Sequence, residues 1–288
     1  MSTLNAPIVV AVDGSNLALE GVRWAASAAA RENRALQVVS VVEPEPLQYG
    51  SAIALAQAYT DASRAFAEGA LQIARDLVRE VAPEVEESGE VLSGRPAHVL
   101  REVSQRAHLL VVGRRGLGGV EGLVLGSVSS DLAANSACPL VVVPEGARTD
   151  GPVVVGVDGS PVSTAAIAAA FSAAALLGVP LVAVHTYDAH PRFSFREHGE
   201  DWEQRVVDEA RESLGSQLAG GQADNPDVPV ETVVGTGGAA GEILGAAREA
   251  QLVVVGSRGR GELSGALLGS TSRSVLHGAD CAVMIVRD

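Results

Sequence analysis

The chain contains no lysine: all 21 of its basic residues are arginine. That absence removes the Walker-loop lysine, Schiff-base chemistry and any lysine general base together. A phosphate contact must therefore come from arginine, from hydroxyls or from backbone N–H groups. Cysteine is nearly absent as well, and the two present, Cys138 and Cys281, fit a reducing compartment. No apolar run reaches the roughly 18 residues that a membrane-spanning helix needs. The opening residues MSTLNAP lack a basic segment followed by an apolar stretch, so a cytoplasmic address is expected. Positive charge is short overall. A formal net charge of −14 argues against a nucleic-acid backbone as partner. H-E-x-x-H, G-x-S-x-G and Cys/His clusters at metal spacing are all missing, so neither a metal site nor a catalytic set is expected.

What is present is repeated. PIVVAVDGS at 7–15 returns as PVVVGVDGS at 152–160. LLVVGRRGLGGVEGLVLGS at 109–127 returns as LVVVGSRGRGELSGALLGS at 252–270, and ACPLVVVP at 137–144 is matched by DCAVMIVR at 280–287. The offset stays between 143 and 145 residues along the whole chain, which means a duplicated domain rather than a solenoid of small units. The polar, turn-rich segment PEGARTDG at 144–151 is the expected linker, giving domains 1–146 and 147–288.

Within the first copy, continuous apolar runs at Ile8–Val12, Leu36–Val42, His108–Val112 and Pro139–Val143 read as buried parallel strands, with a further strand near Val85–Leu92. Helices are expected over Ser15–Arg31, with Leu19, Val22, Ala26 and Ala29 on one face, from about Thr60 to Val81, over Pro96–Gln105, and from Ser127. The alternation implies an α/β fold with a doubly wound parallel sheet in each copy. Ligands of such sheets sit at the carboxyl ends of the strands, and both the VDGS and the glycine-rich segments fall there.

The glycine loops have the form Gly113-x2-Gly116-x9-Gly126-Ser127 and Gly256-x2-Gly259-x9-Gly269-Ser270. In each, the first glycine ends a buried strand and the last opens a helix, whose N-terminus offers unpaired N–H groups and a favourable dipole to an anion. Ser127 and Ser129, with Ser270 and Ser272, can add hydroxyls or cap the same helix. Arg114, Arg115, Arg258 and Arg260 stand inside the loops as candidate phosphate partners. Asp13 and Asp158 end the first strand of each copy, where each can accept from a base amino group or a ribose hydroxyl, or serve the turn. The loops are neither Walker nor Rossmann loops, because they lack G-x4-G-K-[ST] and follow the fourth strand.

On these residues the chain resembles the universal stress protein family in its tandem-domain form and ATP-binding branch. The resemblance implies two Rossmann-like, adenine nucleotide α-hydrolase-like domains, each a five-stranded parallel sheet in order 3-2-1-4-5 with helices on both faces. It implies ATP, with or without magnesium, as the cofactor. Ala11, Asp13 and Val41 would line the nucleoside end, matched by Gly156, Asp158 and Thr186. Gly113, Gly116, Gly126, Ser127 and Ser129 would hold phosphate, matched by Gly256, Gly259, Gly269, Ser270 and Ser272. Gly118, Val128 and Thr271 complete the candidate set. The resemblance also implies pairing through the last strands, Leu140–Val143 and Ala282–Val286, and a homodimer with an unidentified regulatory protein partner. The copies differ, VSS standing in one where TSR stands in the other, so unequal affinities are expected. A non-enzymatic, ATP-dependent regulator of stress response or dormancy is the leading expectation. The alternatives are a slow ATPase or phosphotransferase, and a nucleotide-free interaction module. The segments Glu43–Tyr59 and Asp188–Glu203, which hold Tyr49, Tyr59, Phe193, Phe195 and Trp202, differ most between copies and are expected to form mobile flaps or partner surfaces.

Overall fold

A computed structural model of the chain describes residues 6–44, 52–117, 125–187, 200–259 and 268–287; the side chains of 52–55 and 200–203 fall outside that description. The chain divides into two compact units, Met1–Ala147 and Arg148–Asp288. The first contains β1 (Ile8–Ala11), α1 (Asn16–Glu32), β2 (Leu36–Val42), α2 (Ala52–Val81), β3 (Glu87–Ser93), α3 (Pro96–Ser104), β4 (Leu109–Gly113), α4 (Ser127–Asn135) and β5 (Leu140–Val143). The second repeats the order with β6 (Val153–Val157), α5 (Pro161–Leu177), β7 (Leu181–Thr186), α6 (Glu200–Asp224), β8 (Val230–Gly235), α7 (Ala239–Ala246), β9 (Leu252–Gly256), α8 (Ser270–Gly278) and β10 (Ala282–Val286), plus a single 3-10 turn after α7.

Both sheets are parallel wherever pairs are described. Their orders are β3-β2-β1-β4-β5 and β8-β7-β6-β9-β10. The central strands are β-branched runs with no exposed position: Ile8, Val9 and Val10 are each fully buried, as are Val153, Val154 and Val155. Helices cover both faces of such a sheet, so these strands carry no alternation of polar residues.

Ser15 caps α1 by accepting from Ala18 N at 3.1 Å, and Asn33 ends it in the left-handed region at φ 50°. The buried face of α1 includes Ala18, Val22, Ala25, Ala26 and Ala29, while Leu19 lies at its half-buried edge. Alanines let the helix approach the sheet closely. The corresponding helix α5 is capped by Ser160, starts at Pro161 and ends at Gly178 with φ 66°. Its Phe171 is fully buried, and a Cβ on Gly221 of α6 would strike that ring.

Two expected boundaries move. α2 starts at Ala52, eight residues before Thr60, so Tyr59 stands on an exposed helical turn instead of in a flap. The alanine-rich segment AIALAQA carries enough helix propensity to extend the helix without a cap signal. In the second copy α6 starts at Glu200 and takes in Trp202. Tyr49, Phe193 and Phe195 lie outside the described residues. Among those described, no helix is long and apolar enough to cross a membrane.

One ion-pair cluster fastens α2 to the edge strand β3. Glu87 accepts from Arg75 Nε at 2.6 Å and Nη2 at 3.1 Å, and from Arg79 Nη2 at 2.6 Å. The hydrogen bond from Arg75, reinforced by Arg79, holds the Glu87 carboxyl below the usual carboxylate range against the opposing effect of burial. Because the folded value is depressed, this stability is present above the unfolded carboxylate pKa of about 4.3 and is lost as pH falls through the folded value. Both arginines are partly solvated, which limits the contribution of the cluster to about 1 kcal/mol. Glu87→Gln is therefore expected to lower the melting temperature at pH 7. Its difference from the parent should shrink as pH falls below about 4 in a pH series of thermal melts.

Candidate functional site

At the carboxyl end of the first sheet, the DGS turn after β1 meets the glycine loop after β4. Gly14 turns the chain at φ 87°. Asp13 Oδ1 accepts from Ser15 N at 3.0 Å and from Ser15 Oγ at 2.6 Å. Its other oxygen accepts from Leu117 N at 2.7 Å, across 104 residues of sequence. The turn role and the site role of Asp13 are thus one arrangement: the carboxylate ties the first strand's turn to the loop. A Cβ on Gly116 would fall on Asp13 Oδ2, so the glycine is required by that contact.

The loop closes on the next helix. Arg114 N donates to Val143 O at 2.8 Å, and Gly126 N donates to Arg114 O at 2.9 Å. Ser129 Oγ donates to Gly113 O at 2.9 Å. The first intrahelical bond of α4 runs from Ser130 N to Gly126 O, and among the described residues no side chain caps the helix. The amides of Ser127, Val128 and Ser129 precede that bond and face the edge where a ligand would sit. α1, at the same edge, is capped by its own serine.

A cavity of about 260 Å³ lies in this corner. Its lining contains Ala11, Asp13, Val41, Gly113, Gly116, Gly126, Ser127, Val128 and Ser129, the candidate set for the first copy apart from Arg114 and Gly118. Of the two loop arginines, Arg115 is among the described lining residues. Position 114 uses its backbone on both sides, donating to Val143 O and accepting from Gly126 N. The second copy carried the signal, since Ser257 replaces Arg114 there while Arg258 matches Arg115. The Ser129 proton is engaged within the chain, so what Ser129 offers a ligand is its amide. Gly118 lies outside the described residues.

The second unit repeats the site. Asp158 Oδ1 accepts from Ser160 N at 2.9 Å, and a Cβ on Gly259 would stand 2.5 Å from Asp158 Oδ2. Ser257 N donates to Val286 O at 2.7 Å, Gly269 N to Ser257 O at 2.8 Å, and Ser272 Oγ to Gly256 O at 2.6 Å. α8 again has no side-chain cap. The cavity, about 330 Å³, is lined by Gly156, Asp158, Thr186, Gly256, Arg258, Gly259, Gly269, Ser270, Thr271 and Ser272. Arg260 lies outside the described residues.

Sequence reasoning missed one wall of each cavity. Pro96 and Leu100 of α3 line the first, and Ala239 and Ile243 of α7 line the second. Each pair is four residues apart on one helical face, and the pairs are related by the repeat offset. The walls are matched to the strands beneath them: a Cβ on Gly156 would come within 2.6 Å of Ile243 Cδ1, whereas the first copy combines Ala11 with Leu100. Arg273 also lines only the second cavity, where the first copy has Ser130. Among the described residues, no group of three or more His, Cys, Asp or Glu side chains is placed to hold a metal ion.

The model of the universal stress protein family matches residues 5–144 and again 151–287. A universal stress protein of Mycobacterium tuberculosis is 38% identical over 305 aligned positions, covering 98% of this chain and 95% of that one. A second from the same organism is 37% identical over 290 positions, covering 97% and 96%. Among solved structures, a universal stress protein of Archaeoglobus fulgidus superposes with a TM-score of 0.70 at 19% identity, covering 98% of each chain. That likeness is one of fold.

The contact between Asp13 and Gly116 makes a specific prediction. Gly116→Ala should lower stability by about 1–3 kcal/mol by overpacking, and the loss should shrink when Asp13→Ala is also present. Urea denaturation of the single and double variants measures the coupling. A Gly116→Ala effect that Asp13→Ala leaves unchanged would contradict the clamp.

Proposed function

The chain belongs to the universal stress protein family, and from that premise we propose that it is a regulator that binds ATP in both units without turning it over. One observation carries the reading: among the described residues, no neighbour requires the glycines that open α4 and α8. A Cβ on Gly126 would come no nearer than 3.5 Å to a described neighbour, and on Gly269 no nearer than 3.4 Å. Their φ values, −72° and −57°, suit any residue. Gly113 and Gly116, by contrast, are fixed by neighbours inside the protein. A glycine that nothing inside the fold demands, at the mouth of an uncapped helix, fits a group that must approach the backbone closely. Phosphate is such a group. Arg115 and Arg258 supply the positive charge that the missing lysine would otherwise give.

The nucleoside end fits the same ligand. Val39, Val41 and Leu100 form an apolar wall in the first cavity, and Val184, Ile243 and Thr186 form its counterpart. A flat base buried against such walls needs few polar partners. The absence of turnover follows from Asp13, whose carboxylate already accepts from Ser15 N, Ser15 Oγ and Leu117 N and is poorly placed to take a proton from water. The second site is the tighter one in this account, because it adds the Thr186 hydroxyl and Arg273.

Calorimetric titration of ATP tests the reading. Gly126→Ala with Gly269→Ala should lower the unfolding free energy by only about 1 kcal/mol per site, the cost of alanine at a helix N-cap, and weaken ATP binding at least ~10-fold. Arg273→Ser should weaken the tighter of two binding events and spare the other. A parent protein that binds no ATP, and carries none when isolated, sinks the proposal in favour of a nucleotide-free interaction module. Steady release of ADP, abolished by Asp13→Ala with Asp158→Ala, would favour the enzyme.

A further inference from the structure

We propose, resting on the reading of both cavities as nucleotide sites, that the second unit distinguishes nucleotides by phosphate charge and the first unit far less. Two residues carry the difference: Ser163, buried in the wall of the second cavity, and Arg273, exposed at its edge. Ser163 is 3% exposed. Its Oγ accepts from Asp158 N at 3.2 Å, and among the described residues nothing accepts the hydroxyl proton. A buried donor on a cavity wall is satisfied by a ligand that takes that proton. Ala18 holds the equivalent place in the first cavity, at the offset of 145 residues.

Arg273 N makes the first intrahelical bond of α8, to Gly269 O. Among the described residues its guanidinium has no hydrogen-bond or ion-pair partner, and α8 contains no acidic residue. The first copy inverts this. Ser130 takes the place of Arg273, and the next residue, Asp131, is an acid that meets Arg101 at 3.2 Å. The glycine loops themselves are balanced. One carries Arg114, Arg115 and Glu121, the other Arg258, Arg260 and Glu262. Arg273 is thus the cation by which the second site exceeds the first.

Its direction decides which part of the ligand it serves. α8 leans on α7 through Gly278, where a Cβ would come within 2.8 Å of Leu244 Cδ1. At about 3.6 residues per turn, Arg273 lies about 140° round the helix from that contact. It therefore faces away from Ala239 and Ile243, which wall the nucleoside end, and toward the outer phosphates. Ser163, beside the Asp158 turn, serves the part that AMP, ADP and ATP share. Each added phosphate brings about one negative charge, and a unit charge about 4 Å away through water is worth ~5-fold in affinity. Two such charges separate ATP from AMP. With screening, the preference for ATP over AMP should be at least ~10-fold larger at the second site than at the first. The first unit then registers an adenine nucleotide, and the second registers a triphosphate.

Amide shifts of the 15N-labelled full chain, titrated with ATP and with AMP in magnesium-free, low-salt buffer, read the two sites separately through Ser127 and Ser270. The ratio of the AMP to the ATP dissociation constant should be at least ~10-fold larger at Ser270 than at Ser127, and the gap should close as salt is raised. Arg273→Ser should bring the second ratio down to that of the first. Ser130→Arg should raise the first ratio at least ~3-fold. Ser163→Ala, which copies Ala18, should weaken ATP and AMP by one common factor. Equal ratios at the two sites of the parent, or an Arg273→Ser variant that weakens ATP and AMP alike, would overturn the proposal while leaving nucleotide binding intact. A chain whose signals move with neither nucleotide overturns the ATP reading itself and this proposal with it.

Discussion

The Asp13 carboxylate, set against the bare face of Gly116 and accepting from Leu117 N, is the contact on which the first site depends. It brings together two segments that are far apart in sequence and neighbours only because β1 and β4 are adjacent in the sheet. The ends of the loop are held by Arg114 N, Gly126 N and Ser129 Oγ, and Asp13 fixes its first turn above the strand ends. Asp158 and Gly259 repeat the arrangement in the second unit. A short polar side chain and a missing Cβ together hold the Leu117 amide in one place above the strand ends.

The division of labour among the glycines follows from this. Gly113 and Gly256 sit under α1 and α5, where a Cβ would come within 2.8 Å of Leu17 O and of Val162 Cγ1. Gly116 and Gly259 give way to the carboxylates. Gly126 and Gly269 alone have room to spare. A motif that looks uniform in sequence thus mixes positions fixed by packing with positions open to a ligand. The same distinction explains the serines. Ser15 and Ser160 cap their helices, Ser129 and Ser272 lock the loop to the strand, and Ser127 and Ser270 stand at uncapped helix starts.

Much of this was legible from the amino acids. Runs such as IVVA and LLVVG can be little else than buried parallel strands, and the repeat offset turned each local reading into two. The failures have physical causes. The walls supplied by Leu100 and Ile243 come from a helix that is distant in sequence from both motifs. The start of α2 was missed because alanine favours helix without announcing where the helix begins.

The central claim is that the uncapped first turns of α4 and α8 bind the phosphates of ATP. Amide chemical shifts of the 15N-labelled chain, followed during an ATP titration, test it most directly. The largest changes should fall on Ser127, Val128 and Ser129 and on Ser270, Thr271 and Ser272, with the second group saturating first. ATP binding that leaves both groups of amides unmoved would contradict it.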